Sequence, residues 1–522
     1  MKRPNPRAFK ARSTDGARGS FAAALVLTSL STFVAMLAYS GPLGNAATVT
    51  AAVAAPPGAT LWILSSMSTG LAVSLLTAGA LADQFGRRRV FTFGAWIFAA
   101  GSVVCATATS ATQFVLGRVV EGVGAAGLIA TGLGLVAAVT GDAGARSTTA
   151  SWWGASMGLG IALGPLLTGL LDLVGLWHVP YWLLAAVGAG IAVAARWCFS
   201  EMAVIADRRL DLLGAALLTG GLGLGLFALV ETRQGGLALA LICGGGAVAT
   251  LAAFTVSQLR GRSPMVDFGL FSRGDFVAAT VAATATGAGV IALLSFACTF
   301  LVTSMGMTTF QASALLVLWS GTSAVSAVLS RRLAARLTGT VQLAIGLVAT
   351  GVGLLLLTGL DIGSTGTRMV PGLLVAGVAT GVLNAGLGRQ ATATVPPERA
   401  AVGVGMNNTT RYVGASIGVT VVGVLAAAPG GDLPAQLSGW NHVAVLTGTL
   451  SLVGAAVVLA LSRSASRQDS GPGRNEAPRT AVFSGRRGPR GARATRRRAR
   501  WRPHLPAGRR ARPGPPGPMT GP

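Results

Sequence analysis

The chain has 522 residues, 52% of them hydrophobic and only 11% charged, with a formal net charge of +25. So little charge cannot cover a soluble protein of this length, and the apolar residues fall in runs of about 20, enough to cross a bilayer as a helix. The composition excludes a soluble enzyme and predicts an all-α polytopic membrane protein.

The positive charge belongs to the tails. Residues 1–19 read as a basic cytoplasmic tail, and 463–522 carry 16 Arg against Asp469 and Glu476. From the N-terminus, fourteen spans are predicted. Eight lie near 20–41, 60–82, 90–108, 111–139, 148–171, 179–199, 210–230 and 236–257. Six more lie near 276–302, 309–330, 340–359, 369–389, 400–426 and 441–462. The first is read as an uncleaved span because another soon follows it. Connections alternate between arginine-bearing loops, such as Arg87–Arg89 and Arg331/Arg332, and loops with one Arg or none, such as 42–59 and 303–308. The positive-inside rule then places the arginine-bearing loops and both termini in the cytoplasm, and the expected location is the cell inner (plasma) membrane. Cys105, Cys198, Cys243 and Cys298 each lie alone in apolar runs and read as small hydrophobes. No metal site, cofactor motif or phosphate loop is present in the sequence, and no catalytic constellation can be assembled.

A repeat is visible. "GASMGLGIALGP" at Gly154 in span five is echoed by "GASIGVTVVG" at Gly414 in span thirteen. The loop "DQFGRRR" at Asp83 is echoed by "SRRLAARLTG" at Ser330, without the acid. Two six-helix halves, 20–199 and 259–462, then flank an inserted helix pair within 200–258.

Three motifs bear on function. "GALADQFGRRRVF", residues 79–91, joins spans two and three; Gly79 permits close packing, Asp83 sits at a helix end, and Gly86 makes the turn. "GRVVEGVGAAG" from Gly117 sets Arg118 and Glu121 one turn apart within span four. Buried charges there are expensive and face a cavity or a partner. "GASMGLGIALGPLLTG", residues 154–169, combines small-residue spacing (Gly154, Gly158, Gly160, Gly164, Gly169) with Pro165, which removes a helix hydrogen bond.

These motifs resemble signatures of the major facilitator superfamily: its loop after the second helix, its fourth-helix R-x-x-q-G-x-g, and the fifth-helix antiporter pattern. "LWILSS" at Leu61, "PMVDFGLFSRGDFV" at Pro264 and "GMNNTTRYVGASIGV" at Gly405 resemble the fourteen-span drug:proton antiporter branch. The resemblance covers roughly 20–462. It implies the major facilitator fold, alternating access, and export of a small amphipathic drug or antibiotic in exchange for protons. On that basis Gly79, Asp83, Gly86, Arg87 and Arg88 form a gating loop. Arg118 and Glu121 either couple protons or form a self-neutralised structural pair. Arg411, a second intramembrane cation, is either a relay group or a partner for a carbonyl.

Two departures stand out. Thr168 replaces a usual glycine, and span one, "MLAYSGPLGNAAT" at 36–48, lacks the acid common in the branch, with Tyr39 or Ser40 near its position. A neutral, anionic or zwitterionic substrate is expected in consequence. Tyr39, Met67, Trp152, Trp153 and Arg411 are candidate cavity residues, the aromatic ones alternatively facing lipid. The expected partners are a small-molecule substrate, protons and the bilayer, with a monomer as the functional unit. The Arg-rich tail reads as a lipid contact, a nucleic-acid contact or a dispensable extension, nucleic acid being disfavoured. A proton-coupled importer on the same fold and a non-transporting membrane receptor or integral-membrane enzyme are the rival readings.

Overall fold

Backbone groups inside a bilayer have no water to bond, so a spanning chain must satisfy them within its own segments. In the computed structural model the described residues do so with helices and turns and no strand. The structure describes residues 6–56, 59–139, 143–199, 211–234, 236–261, 264–266, 268–334, 336–396, 399–426 and 432–469. They fall within one compact unit, Met1–Ser470; a second unit, Gly471–Pro522, holds the Arg-rich tail and lies outside the described residues.

The chain enters with α1 (Pro6–Ser40), turns through a 3-10 segment (Gly41–Gly44) and the short α2 (Ala46–Ala52), and returns along α3 (Ala59–Phe85). Four helices follow: α4 (Arg87–Ala106), α5 (Ala111–Val139), α6 (Ala143–Asp172) and α7 (Val179–Cys198). A pair, α8 (Leu212–Gln234) and α9 (Leu237–Arg260), precedes the second set. That set starts with one rod made of α10 (Gly274–Thr286), a π-turn (Gly287–Ile291) and α11 (Ala292–Thr303). It continues with α12 (Thr309–Ala334), α13 (Gly339–Leu355), α14 (Val370–Ala393), α15 (Ala400–Ala426) and α16 (Leu433–Asp469).

Among the described residues, 13 helical spans are long and apolar enough to cross a membrane. The eleventh expected span is represented by α13, which is apolar but only 17 residues long. It ends before Gly359, whose φ of +76° turns the chain. At the N-terminus α1 runs from Pro6, well before residue 20, and proline is well suited to a first helical turn.

Burial sorts the helices. The α5 span is 83% buried and runs through the interior of the first set, whereas those of α8 and α9 are 28% and 17% buried. The α9 side chains Leu241, Ile242 and Val248 are exposed, as expected of a lipid-facing helix. The pair is tied to the body by α8, where the Thr219 and Thr77 hydroxyls lie 3.2 Å apart and Thr219 also donates to the Val73 carbonyl. The two sets meet through α3 against α15 and α6 against α12, pairs that occupy equivalent places in the repeat.

Small residues set how closely these helices approach. A side chain at Gly287, in the π-turn, would run into the Arg411 carbonyl on α15, and one at Gly414 would meet Thr284. Glycine is therefore required at Gly287, where even a methyl group has no space. By contrast, a Cβ at Gly190 on α7 meets nothing within 4 Å. Gly287→Ala should lower the melting temperature of the detergent-solubilised protein, at a cost of about 1–3 kcal/mol. Gly190→Ala should be neutral or stabilising by about 0.5–1 kcal/mol. Equal melting of the two variants would contradict this packing.

Candidate functional site

Asp83 lies at the end of α3, beside the start of α15. Its carboxylate accepts hydrogen bonds from the Ala401 and Val402 amides at 3.2 and 2.9 Å. These are amides of the first turn of α15, which has no intrahelical acceptor for them, so an acid from one set caps a helix of the other. Arg87 Nη2 reaches the same carboxylate at 2.9 Å, and Arg87 Nη1 donates to the Gly134 carbonyl on α5 at 3.2 Å. Gly86, at φ +106°, makes the turn that lets Arg87 fold back on Asp83. Arg88 donates to the Arg196 carbonyl on α7. Gly79 permits the approach, since a Cβ there would lie 2.5 Å from the Ala401 carbonyl oxygen. Gly79, Asp83, Gly86 and Arg87 thus build one contact between α3 and α15, while Arg88 bonds within the first set. Its echo at Ser330 differs: the hydroxyl bonds only to Ala327 on its own helix, and Arg331 and Arg332 are exposed.

Arg118 and Glu121 are both fully buried, with Nη1 and Oε2 2.6 Å apart. Glu121 is turned toward α4, where Ser102 donates to its other oxygen at 2.7 Å. Arg118 Nη2 reaches toward the Tyr39 carbonyl on α1 at 3.4 Å, and its Nε has no hydrogen-bond partner. The pair therefore connects α5, α4 and the end of α1. Ser102 was not foreseen; it lies 19 residues before Glu121 on another helix, and no sequence spacing marks it.

The glycines of α6 divide between two faces. Gly160 and Gly164 face α1, where added side chains would strike Phe33 and Ser40, and Gly169 lies against Gly44. Gly154 and Gly158 face the other set, against Ala385 on α14 and Ser320 on α12. The departure Thr168 has a structural reason. Its hydroxyl donates to the Gly41 carbonyl at 2.6 Å, tying α6 beyond Pro165 to the turn after α1.

Between the sets lies a cavity of ≈ 60 Å³, room for a few waters. Tyr39, Met157, Pro165, Trp319, Arg411 and Tyr412 are among its lining residues, and none of the lining residues is acidic. The Tyr39 and Tyr412 rings, one from each set, meet edge to face with centroids 6.0 Å apart. A second pocket, shared by α3, α8 and α15, reaches the same two tyrosines. Of the expected cavity residues, Tyr39 and Arg411 are in place. Met67 is buried where α3 packs on Gly122, Trp153 is buried against Gly388, and Trp152 is 42% exposed; none of the three lines this cavity. Tyr412, Trp319 and Asn384, which binds Arg411, were missed; a polar Asn384 inside an apolar run was the available signal.

The sequence profile of the Major Facilitator Superfamily matches residues 28–419 and 280–507. The chain belongs to that superfamily. It is a multi-pass membrane protein built on that fold. It is 30% identical over 382 residues to the "Probable actinorhodin transporter" of Streptomyces coelicolor, a match spanning 70% of this chain but 65% of that protein. It is 28% identical to "Multidrug resistance protein Stp" of Mycobacterium tuberculosis, over 70% of this chain and 68% of that one. It is 27% identical to the "Tetracenomycin C resistance and export protein" of Streptomyces glaucescens, over 71% and 70%. Its fold is similar to that of the human organic anion transporter MFSD10 (TETRAN), with a TM-score of 0.61, 17% identity and coverage of 84% of this chain and 99% of that one.

The buried ion pair carries a stability prediction. Removing one partner strands the other charge in a dry interior, whereas replacing both with apolar side chains does not. Arg118→Ala should cost about 3–5 kcal/mol, and the double variant Arg118→Met/Glu121→Leu markedly less. Thermal unfolding in detergent checks the order; a double variant less stable than Arg118→Ala would contradict it.

Proposed function

We propose that this chain exports a small amphipathic drug or antibiotic across the plasma membrane, in exchange for protons, as a single-chain functional unit. The carrying observation is the placement of α6, whose glycines give it one smooth face against α1 and another against α12 and α14. A helix seated between the sets in this way suits sliding without side-chain interlocking. The names of the curated relatives, one a probable transporter, one a multidrug resistance protein and one a resistance and export protein, support the same reading.

In this reading the halves are 20–199 and 259–462, with the pair within 200–258 inserted and α13 serving as the eleventh of fourteen spans. The arginine-bearing face and both termini are cytoplasmic. Asp83 holds the cytoplasmic end closed, and the small cavity must enlarge before it admits a drug-sized molecule. Opening breaks the Asp83 cap on α15, and alternating access follows as the halves rock about the cavity.

Glu121 is the proton carrier. Protonation removes its charge and frees Arg118, whose guanidinium already reaches toward the Tyr39 carbonyl at the cavity wall. Proton binding and substrate binding then favour different conformations, as exchange requires. The test uses a pump-deleted bacterium expressing the chain, with and without a protonophore, and dye uptake into its inside-out vesicles. Expression should raise drug tolerance, and the protonophore should abolish the gain. Glu121→Gln should fold and bind dye yet lose proton-driven uptake; full proton-driven transport by that variant would refute the role given to Glu121. Accumulation into cells instead of extrusion would refute export.

A further inference from the structure

The two buried arginines are not alike. Arg118 is neutralised by Glu121 at 2.6 Å. Arg411, only 2% exposed, has no carboxylate partner among the described residues. Its contacts are neutral ones: Nη2 donates to Asn384 Oδ1 at 2.8 Å and Nη1 to Met157 Sδ at 3.1 Å. Its Nε is buried with no hydrogen-bond partner. A guanidinium has five N–H donors in a planar fork suited to a carboxylate or similar anion. Holding an uncompensated charge in a dry interior is expensive, so such a group is a functional candidate by default.

The surroundings complete a site. Arg411 lines the cavity between the sets, whose lining includes no acid. Tyr39, Tyr412 and Trp319 line the same cavity, and such rings offer faces and edges to a flat apolar body. Asn384 on α14 and Met157 on α6 hold the guanidinium from two sides, and the Arg411 carbonyl abuts the π-turn at Gly287. The cation is thus positioned by three elements and left short of an anion.

We propose that Arg411 is the recognition point for the negative charge of an acidic, ring-bearing substrate, an organic anion whose apolar body lies against the Tyr39, Tyr412 and Trp319 side chains. The assignment rests on the export reading. It makes selectivity a matter of charge: a cation of the same shape meets Arg411 with no carboxylate to offset it.

The test uses two dyes sharing one xanthene ring system, anionic fluorescein and cationic rhodamine 123. Binding is measured by fluorescence polarisation with the purified full chain, and proton-driven accumulation is measured in proteoliposomes. The wild type should bind fluorescein about tenfold or more tightly than rhodamine 123, the worth of one hydrogen bond to a charged group. Arg411→Gln should lose about that factor for fluorescein alone. Arg411→Lys, which keeps the charge without the fork and guards against misfolding of the first variant, should keep the anion preference with weaker binding. Tighter binding of rhodamine 123, no binding of fluorescein by the wild type, or an equal change for both dyes in Arg411→Gln would overturn the assignment. If the dyes bind as expected but neither is moved by a proton gradient, the site stands and the export reading fails.

Discussion

One carboxylate ties the two sets together, and in the proposed cycle closure turns on it. Asp83 receives the first amides of α15 and the guanidinium of Arg87 at once, so an ionised group from one set completes the helix start of the other. Bonds to ionised groups are roughly twice as strong as neutral ones, and a shielded site strengthens them further. The same contact is readily given up once the sets part, because water then satisfies both the carboxylate and the amides. It can therefore hold one end shut without making the closed state permanent.

Closure also needs surfaces that approach and separate without interlocking. Gly79 against Ala401, and Gly158 against Ser320, bring backbones together across the two sets. Large side chains would interdigitate there, and in the proposed cycle their packing would have to be undone at each rocking step. Thr168 adds a fixed point within the first set, where its hydroxyl holds α6 to the turn after α1. The pair α8 and α9 takes little part in this core: α9 is almost wholly peripheral, and α8 touches the body along α3 and α15.

The charges inside the membrane divide the chemistry. Arg118 and Glu121 neutralise each other beside Ser102, and in the proposed cycle a proton on Glu121 leaves the charge of Arg118 unbalanced, which is what would drive the change of state. Arg411 has no such partner among the described residues and lines the cavity. The missing acid of the first span fits this arrangement, since Tyr39 stands near that position and offers a ring where a carboxylate would offset Arg411.

What was legible in the sequence was local. Gly79, Asp83, Gly86 and Arg87 fall within one loop, and Arg118 and Glu121 within one helical turn, so spacing alone placed them side by side, while the roles proposed for them rest on the resemblance. The Asp83 cap on α15 spans more than 300 residues, and Ser102, Asn384 and Tyr412 join their partners only through the fold. Met67 and Trp152 were misplaced for a different reason. A membrane helix is apolar all round, so its sequence does not reveal which face meets the cavity.

The central claim is that Asp83 keeps the two sets together at the arginine-bearing end. It is tested most directly by the distance between spin labels at Phe85→Cys and Arg332→Cys, with the native cysteines replaced. Both positions are exposed, at the ends of α3 and α12. With Asp83→Asn the distance distribution should gain a longer population while the protein remains folded. A distribution identical to that of the protein with Asp83 intact would contradict the account.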